Sequence, residues 1–173
     1  MEDLVILNKF LNAIESQDIQ TITDCLHDDL KMINPIGTMD KLKYLNFKKS
    51  LYSAFPDFKY NPKIICKEND FYLVKINMTG THTGVFNISL TGGTQYIDPT
   101  HKRIVLPEQE MRYSIKDNKI YRIIAKNVAG GGIIAILRQV GAKLPPQFLI
   151  STIIGVYSVL RTLNSLLNKN STT

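Results

Sequence analysis

One short segment, Gly80-Thr81-His82-Thr83-Gly84-Val85-Phe86, holds the residue types in this sequence that are best suited to chemistry. It places an imidazole between two hydroxyls at the end of an alternating strand, with a glycine on either side. Because histidine titrates near neutral pH, His82 could act as a general base on a carbon acid or on water. The alternative is that His82 only donates a hydrogen bond where the strand ends before a glycine turn. Which of these two roles His82 has depends on the groups that share its side of the strand.

Four polar side chains occupy strand positions whose parity is otherwise apolar, and they are Asn34, His82, Gln109 and Asn127. Successive strand residues point to opposite faces, so each group should project from an apolar wall. A buried amide without a partner costs about 1–3 kcal/mol, and the four are therefore expected to bond one another, water or a ligand. The pattern predicts either a satisfied internal network or a ligand pocket that is also lined by Met78, Met111 and Tyr113.

The first 55 residues have the pattern of three helices and one short strand. Asp18 is placed to cap a second helix and Asp40 a third, which Pro56 ends. Residues 30–34, between these two helices, alternate like a strand. Apolar residues recur at helical spacing in the first helix, at Leu4, Leu7, Leu11 and Ile14.

From Phe58 onward the apolar period changes to two, which is typical of strands with one buried face. In the last strand, Tyr121, Ile123 and Ala125 share the face of Asn127. Helices followed by such strands predict an α+β domain in which the helices cover one side of a curved antiparallel sheet. The predicted strands cover residues 58–67, 72–79, 105–116 and 121–127, and residues 87–103 are less regular.

The composition indicates one globular domain and argues against several functional classes. The 173 residues carry a net charge of +6, but the basic side chains are scattered singly, which does not favour nucleic-acid binding. The cysteines and histidines lack the spacing of a metal site, and the glycine run 130–132 lacks the Lys-Ser/Thr of a phosphate loop. No metal and no cofactor is therefore predicted. With no secretory signal pattern and no disulfide framework, a cytoplasmic protein is expected.

Six short motifs follow one another along the chain. They are Asn34-Pro35 with Gly37, Phe55-Pro56-Asp57, the segment 80–86, Pro99-Thr100-His101-Lys102-Arg103-Ile104, Asp117-Asn118-Lys119-Ile120, and Gly130-Gly131-Gly132-Ile133 leading to Leu137-Arg138-Gln139-Val140-Gly141. In this order they resemble the SnoaL-like polyketide cyclases and ester cyclases of the nuclear-transport-factor-2-like superfamily. The resemblance covers residues 3–145 and implies a cone-shaped α+β barrel with a pocket between the concave face of the sheet and the helices. It also implies a homodimer built on the outer face.

One functional feature of that family has no counterpart in this sequence. In SnoaL-like cyclases, the acid/base of an intramolecular aldol closure is a carboxylate at the end of the last strand. Here that segment reads Ala125-Lys126-Asn127-Val128-Ala129-Gly130-Gly131-Gly132 and contains no acid. An amide does not remove a proton at neutral pH, so His82 is left as the candidate base. The fold also hosts epoxide hydrolysis, ketosteroid isomerisation and plain binding, so it does not decide the function.

The segment 146–173, after Pro145-Pro146, lies outside the resemblance and is predicted to form a helical extension of the domain 1–145. Its apolar stripe could pack on its own barrel, pair with a second subunit or lie on a membrane surface. Few basic residues accompany it, which disfavours the membrane, and the apolar run is too short to span one. The stripe consists of Leu149, Ile153, Val156, Leu160, Leu163 and Leu167.

The sequence therefore predicts that residues 1–145 bind or transform a small hydrophobic, oxygenated molecule. As an enzyme of cyclase, isomerase or hydrolase type, the protein would use His82 as its base. Ligand oxygens would then be held by the side-chain amides of Asn34, Gln109 and Asn127. As a binding protein, it would use the same residues only to orient the ligand. A third alternative is a dimeric assembly module that works through the C-terminal helix and has no ligand pocket.

Overall fold

The structure is a computed structural model that describes residues 2–90 and 93–142. These residues lie almost entirely in the first of the two units into which the chain divides, Met1–Gly141. The predicted C-terminal helix lies outside the described residues, and the domain boundary at 145 stays a prediction. Among the described residues, no helix is long and apolar enough to cross a membrane.

Helices in the described ranges are capped where the sequence predicted caps. The Asp18 carboxylate accepts the Thr21 N–H at 3.0 Å, and the Asp40 carboxylate accepts the Lys43 N–H at 2.8 Å. The last helix ends at Gly141, whose φ of 82° is in the left-handed region. The helices are α1 (Glu2–Ser16), α2 (Ile19–Cys25), α3 (Lys41–Ala54) and α4 (Gly132–Val140).

The strands form one large sheet and two small antiparallel pairs. They are β1 (Leu26–Asn34), β2 (Gly37–Met39), β3 (Lys63–Glu68), β4 (Phe71–Ile76), β5 (Thr79–Thr81), β6 (Phe86–Leu90), β7 (Gly93–Ile97), β8 (Arg103–Val105), β9 (Gln109–Lys116) and β10 (Lys119–Ala125). The large sheet has the order β2-β1-β10-β9-β4-β3, while β5 pairs with β8 and β6 with β7. Its pairs are antiparallel except β1 with β10, which run parallel.

One face of the large sheet, called here the inner face, is buried against the N-terminal helices. The Phe10 ring of α1 lies 5.8 Å from the Tyr113 ring of β9, centroid to centroid. The other side of the sheet carries ion pairs, such as Lys126 with Glu110 at 2.8 Å. The predicted α+β arrangement is thus confirmed. Buried inner-face residues include Val74, Ile76, Met111, Tyr113 and Ile123.

The strands differ from the predicted pattern in three places. The register of β10 shifts between Ile120 and Arg122, so Ile120 is buried and Tyr121 does not share the face of Ile123 as predicted. A similar register shift in β3 lies between Ile64 and Cys66, which pair with the adjacent residues Val74 and Leu73. The segment predicted to be irregular, 87–103, contains the β6–β7 pair, although its alternation before Gly92-Gly93 is a hairpin signal.

Candidate functional site

His82 follows the last residue of β5 and is held by the segment that enters β8. Its N–H donates to the Lys102 carbonyl at 3.0 Å, and its carbonyl accepts the His101 N–H at 2.8 Å. The nearby Gly84 is required by close backbone packing, because a Cβ there would lie 2.1 Å from the Ser53 carbonyl oxygen at the end of α3. Gly84 of the motif around His82 therefore has a structural role, because it lets this loop pack against the end of α3.

The His82 ring is fully buried and held in one neutral form. Its Nδ1 accepts the Thr100 N–H at 3.3 Å and lies 3.1 Å from the Thr100 hydroxyl, which places the ring proton on Nε2. Burial of the ring, and then the charge of His101, lower the pKa of His82 below its ordinary value of 6.5. The backbone of Gly84 acts in the opposite direction to a smaller extent. His82 is therefore neutral at physiological pH.

The second ring nitrogen of His82 lies among aromatic side chains. Phe55 stacks on the ring with 5.0 Å between centroids, and Phe86 meets it edge-on at 6.4 Å. Nε2 is buried and lacks a hydrogen-bond partner among the described residues. With Nδ1 accepting and Nε2 protonated, this ring has no free lone pair, so it is suited to donate a hydrogen bond rather than to remove a proton.

Gln109, the first residue of β9, presents a second buried nitrogen. The residue is 4% exposed and lies opposite Ile76 on the inner face. Its Oε1 accepts the Gly132 N–H at 3.0 Å, which decides the orientation of the amide. Nε2 is left buried without a partner in residues 2–90 and 93–142. Gly131 fits closely beside it, because a Cβ there would lie 2.9 Å from the Gln109 Cδ.

The inner face brings Gln109 together with two of the predicted lining residues. Met111 and Tyr113 follow Gln109 on the same side of β9, and both are buried. Met78, also buried, lies beyond the end of β4, where its carbonyl accepts the Leu106 N–H at 2.9 Å. On β9 itself, the amide of Gln109 and the side chains of Met111 and Tyr113 thus form one buried wall.

The other two predicted amides have different surroundings. The Asn34 Oδ1 accepts the Ile36 N–H at 2.9 Å and so closes the β1–β2 turn, while its Nδ2 lies 3.5 Å from the Met32 sulfur. Asn127 is exposed, because β10 ends at Ala125 and the alternation stops there. The expectation that Asn127 projects from an apolar face is therefore wrong.

The predicted convergence of four polar groups in one cavity is wrong for Asn127, which is exposed. His82 follows the end of β5, whereas Gln109 begins β9 opposite Ile76 on the inner face. The convergence of Asn34, His82 and Gln109 stays a prediction.

A buried lysine that was not predicted from the sequence lies in α3. Lys48 is 4% exposed, and its Nζ donates a hydrogen bond to the Tyr60 hydroxyl. Nζ also lies 3.9 Å from the centroid of the Tyr60 ring, 5.1 Å from that of Tyr44 and 5.9 Å from that of Tyr52. We call these four residues the lysine–tyrosine cluster.

Burial governs the ionisation of this cluster. It lowers the pKa of Lys48 from 10.5 to about 7, because the charged amine has lost its water. Burial likewise raises the pKa of Tyr44 and of Tyr60 well above 10, so both hydroxyls stay protonated. Tyr113 of the inner face contributes to both of these tyrosine shifts, which places the cluster near the wall that carries Gln109.

Helical spacing is the signal that could have revealed this cluster. Tyr44, Lys48 and Tyr52 recur every four residues, which puts them on one side of α3. Leu51 and Phe55, both buried, lie on that side as well. A lysine in the middle of an apolar helical stripe is uncommon unless it is exposed or paired. The described residues include no group of three or more His, Cys, Asp or Glu side chains that could hold a metal ion.

Comparisons with solved structures show the same fold at low sequence identity. IdmH of Streptomyces antibioticus, a proposed polyketide cyclase, is 16% identical with a TM-score of 0.59, over 82% of this chain and 100% of that one. AclR of Streptomyces galilaeus, a proposed hydroxylase, is 20% identical with a TM-score of 0.63, over 83% and 98%. TerC, crystallised with polyporic acid, is 13% identical with a TM-score of 0.55, over 82% and 100%. Identities this low show the fold alone.

The sequence itself decides the family. Among curated proteins no sequence match was found. The family model described as the SnoaL-like domain matches residues 7–123, which is more than half of the 173 residues and runs from α1 into β10. The mixed α+β fold, with its curved sheet and N-terminal helices, agrees with the cone-shaped fold of the structural neighbours. This chain therefore belongs to the SnoaL-like domain family.

Proposed function

We propose that this protein is a small-molecule enzyme of polyketide-cyclase or isomerase type that holds a hydrophobic, oxygenated ligand against the inner face of its sheet. The observation that carries the proposal is the buried Nε2 of Gln109, which has no partner among the described residues. Leaving such a donor unpaired costs about 1–3 kcal/mol, which an oxygen of a bound ligand would recover.

The surroundings of Gln109 fit this role. Its Oε1 is already committed to the Gly132 N–H, so the NH₂ end of the amide is held in place for a second partner. Met111 and Tyr113 extend the same buried wall with apolar surface and one phenol. A mostly apolar wall with a few fixed polar groups is typical of small-molecule sites.

Polyporic acid is a suitable probe, because the structural neighbour TerC was crystallised with it. We expect calorimetry to detect binding to the wild type and a loss of about 10- to 100-fold in affinity for Gln109→Met, which keeps the volume but removes the donor. Gln109→Glu keeps the acceptor for the Gly132 N–H and should lose affinity as well. Gln20→Leu, at an exposed position on α2, is the matched control.

Two results would contradict the proposal. Equal affinities of the Gln109→Met variant and the wild type would show that the amide does not touch the ligand. Failure of the wild type to bind polyporic acid and any of a set of related hydroxylated quinones and polyketide aromatics would count against this ligand class.

Binding without turnover is the second candidate function, and the state of His82 favours it. His82 accepts at Nδ1 and carries its proton on Nε2, and the last strand ends without a carboxylate. A ligand that stabilises the protein against unfolding but is recovered unchanged would support this alternative. The homodimer expected on the outer face of the sheet belongs to either candidate, and light scattering would test it.

A further inference from the structure

We propose that the amine of Lys48 is a nucleophile that forms an imine with a ketone or aldehyde carbonyl of the bound molecule. This inference rests on the proposed function, since the carbonyl compound has to reach the inner face of the sheet. It assigns a reacting group to a protein whose last strand lacks the carboxylate of its family.

The contacts of Lys48 are those of an amine that is kept without a counter-charge. None of the ion pairs formed by the described residues includes Lys48. The carboxylate of Glu15 instead accepts the backbone N–H of Tyr60 at 2.8 Å and that of Asn61 at 3.2 Å. The groups around the amine are the neutral phenols of Tyr44, Tyr52 and Tyr60.

These phenols hold the amine in place rather than neutralise it. Tyr60 accepts the hydrogen bond from Nζ, and Tyr52 donates its own hydroxyl to the Ile14 carbonyl at 3.0 Å, which ties the cluster to α1. The aromatic rings lie within cation–π distance of Nζ, and burial lowers the pKa of Lys48 to about 7. A substantial fraction of the amine is therefore neutral, and thus nucleophilic, at physiological pH.

The proposed reaction balances without an added oxidant or metal. The Nζ lone pair forms a C–N bond to the carbonyl carbon, and the C=O π pair moves to the oxygen, which takes up a proton. The resulting carbinolamine loses that oxygen as water when the C–O bond breaks, leaving a C=N bond to Lys48. Amine and carbonyl together thus yield the imine and one water molecule.

The imine defines the substrate class. Once protonated, it withdraws electrons from the adjacent carbon, whose C–H bond then ionises far more readily than in the parent ketone. The resulting enamine carbon can attack a second carbonyl of the same molecule, which closes a ring, and the oxygen of that carbonyl takes up a proton in place of the one lost from the C–H bond. Hydrolysis of the C=N bond then restores Lys48. The expected substrate is a hydrophobic molecule with a ketone, an α C–H and a second carbonyl.

Acetylacetone tests the nucleophile directly, because it condenses with neutral amines to a stable enaminone and releases water. The full-length wild type is treated at pH 7, and modification is located by peptide mass spectrometry. Lys49, the exposed neighbour on the same helix, serves as the internal reference. We expect Lys48 to react about 100-fold faster than Lys49, because an ordinary lysine is almost entirely protonated at this pH. The rate at Lys48 should rise between pH 6 and 8 and then level off.

Two results would overturn the inference. If Lys48 of the folded protein reacts no faster than Lys49, or reacts only when the protein is unfolded in urea, Lys48 is an inaccessible core residue and forms no imine. If Lys48 reacts rapidly but its rate keeps rising to pH 10, the amine has an ordinary pKa and the inference also fails.

The outcome for Lys48 is separable from the outcome for the proposed function. An unreactive Lys48 in a protein that binds polyporic acid through Gln109 would leave the proposed function standing and remove the imine. A reactive Lys48 in a protein whose affinity does not depend on Gln109 would overturn the role of the amide and keep the nucleophile. Lys48→Arg, which retains the charge but cannot form an imine, should abolish labelling at this position.

Discussion

Replacing Lys48 with methionine should change how the stability of the protein depends on pH. Lys48 is buried in α3 with a pKa near 7, whereas in the unfolded chain its pKa is 10.5. Above pH 10.5 the amine is neutral in both the folded and the unfolded protein, so its ionisation does not lower the free energy of unfolding. As the pH falls, the unfolded chain takes up a proton that the folded protein does not, so stability is lost until the folded amine itself protonates near pH 7.

The size of this effect follows from the two pKa values. Each pH unit inside the window changes the unfolding equilibrium by almost tenfold, which amounts to about 2–3 kcal/mol between pH 7.5 and 9.5. Lys48→Met removes this proton uptake, so the variant should be more stable than the wild type at pH 7.5. The lost hydrogen bond to Tyr60 lowers its advantage by about 1 kcal/mol at every pH.

Unfolding in urea, monitored by circular dichroism, measures the difference in stability between the wild type and Lys48→Met. Circular dichroism is used because the chain has no tryptophan whose fluorescence could report unfolding. The advantage of Lys48→Met should shrink steadily from pH 7.5 to 9.5. Measurements stop there because the buried tyrosines, whose pKa values are raised, begin to titrate in the unfolded chain near pH 10. Lys49→Met is the matched control and should follow the wild type. If the stabilities of the wild type and Lys48→Met run parallel across this range, the reasoning on burial is refuted.

Two further predictions concern the other buried polar groups. His82→Gln should reduce the loss of stability on acidification from pH 7 to 5, because the folded pKa of His82 is depressed. As the pH falls below the unfolded value of 6.5, the unfolded chain takes up a proton that the folded protein does not, and this loss of stability ends only at the folded pKa. A variant as acid-sensitive as the wild type would argue against this reasoning, whereas a drop of roughly 100-fold in turnover of a validated substrate would make His82 a general base. Gly131→Ala should lower the free energy of unfolding in urea by about 1–3 kcal/mol, because the added methyl displaces the Gln109 side chain from the Gly132 N–H. This loss should disappear in a Gln109→Ala background. An equal loss in both backgrounds would show that Gln109 is not the cause.

Local features were predictable from the sequence because each depends on a few neighbouring residues. The helix starts at Asp18 and Asp40 follow from side chains that accept the backbone N–H three positions on. The alternation of β9 correctly placed Gln109, Met111 and Tyr113 on one buried face, because that strand has no irregularity between them. The order of short motifs was enough to indicate the family.

Other features depended on contacts between distant segments, and parity along one strand could not supply them. The bulge in β10 and the end of that strand at Ala125 removed Tyr121 and Asn127 from the predicted face. The oxygen of Asn34 was used by its own turn. These outcomes depend on how neighbouring strands pair, which the sequence of a single strand does not contain.

The sequence by itself determined the element types, the caps and the apolar face of the sheet, since these arise from periodicity and local hydrogen bonding. Only the tertiary structure decided the state of the two groups most relevant to chemistry. His82 became a neutral donor because Thr100, eighteen residues away, reaches its Nδ1. Lys48 became an amine with a lowered pKa because tyrosines from α3 and from the segment before β3 close around it and exclude water. Burial is a property of the assembled fold, and it is burial that moves a pKa by several units.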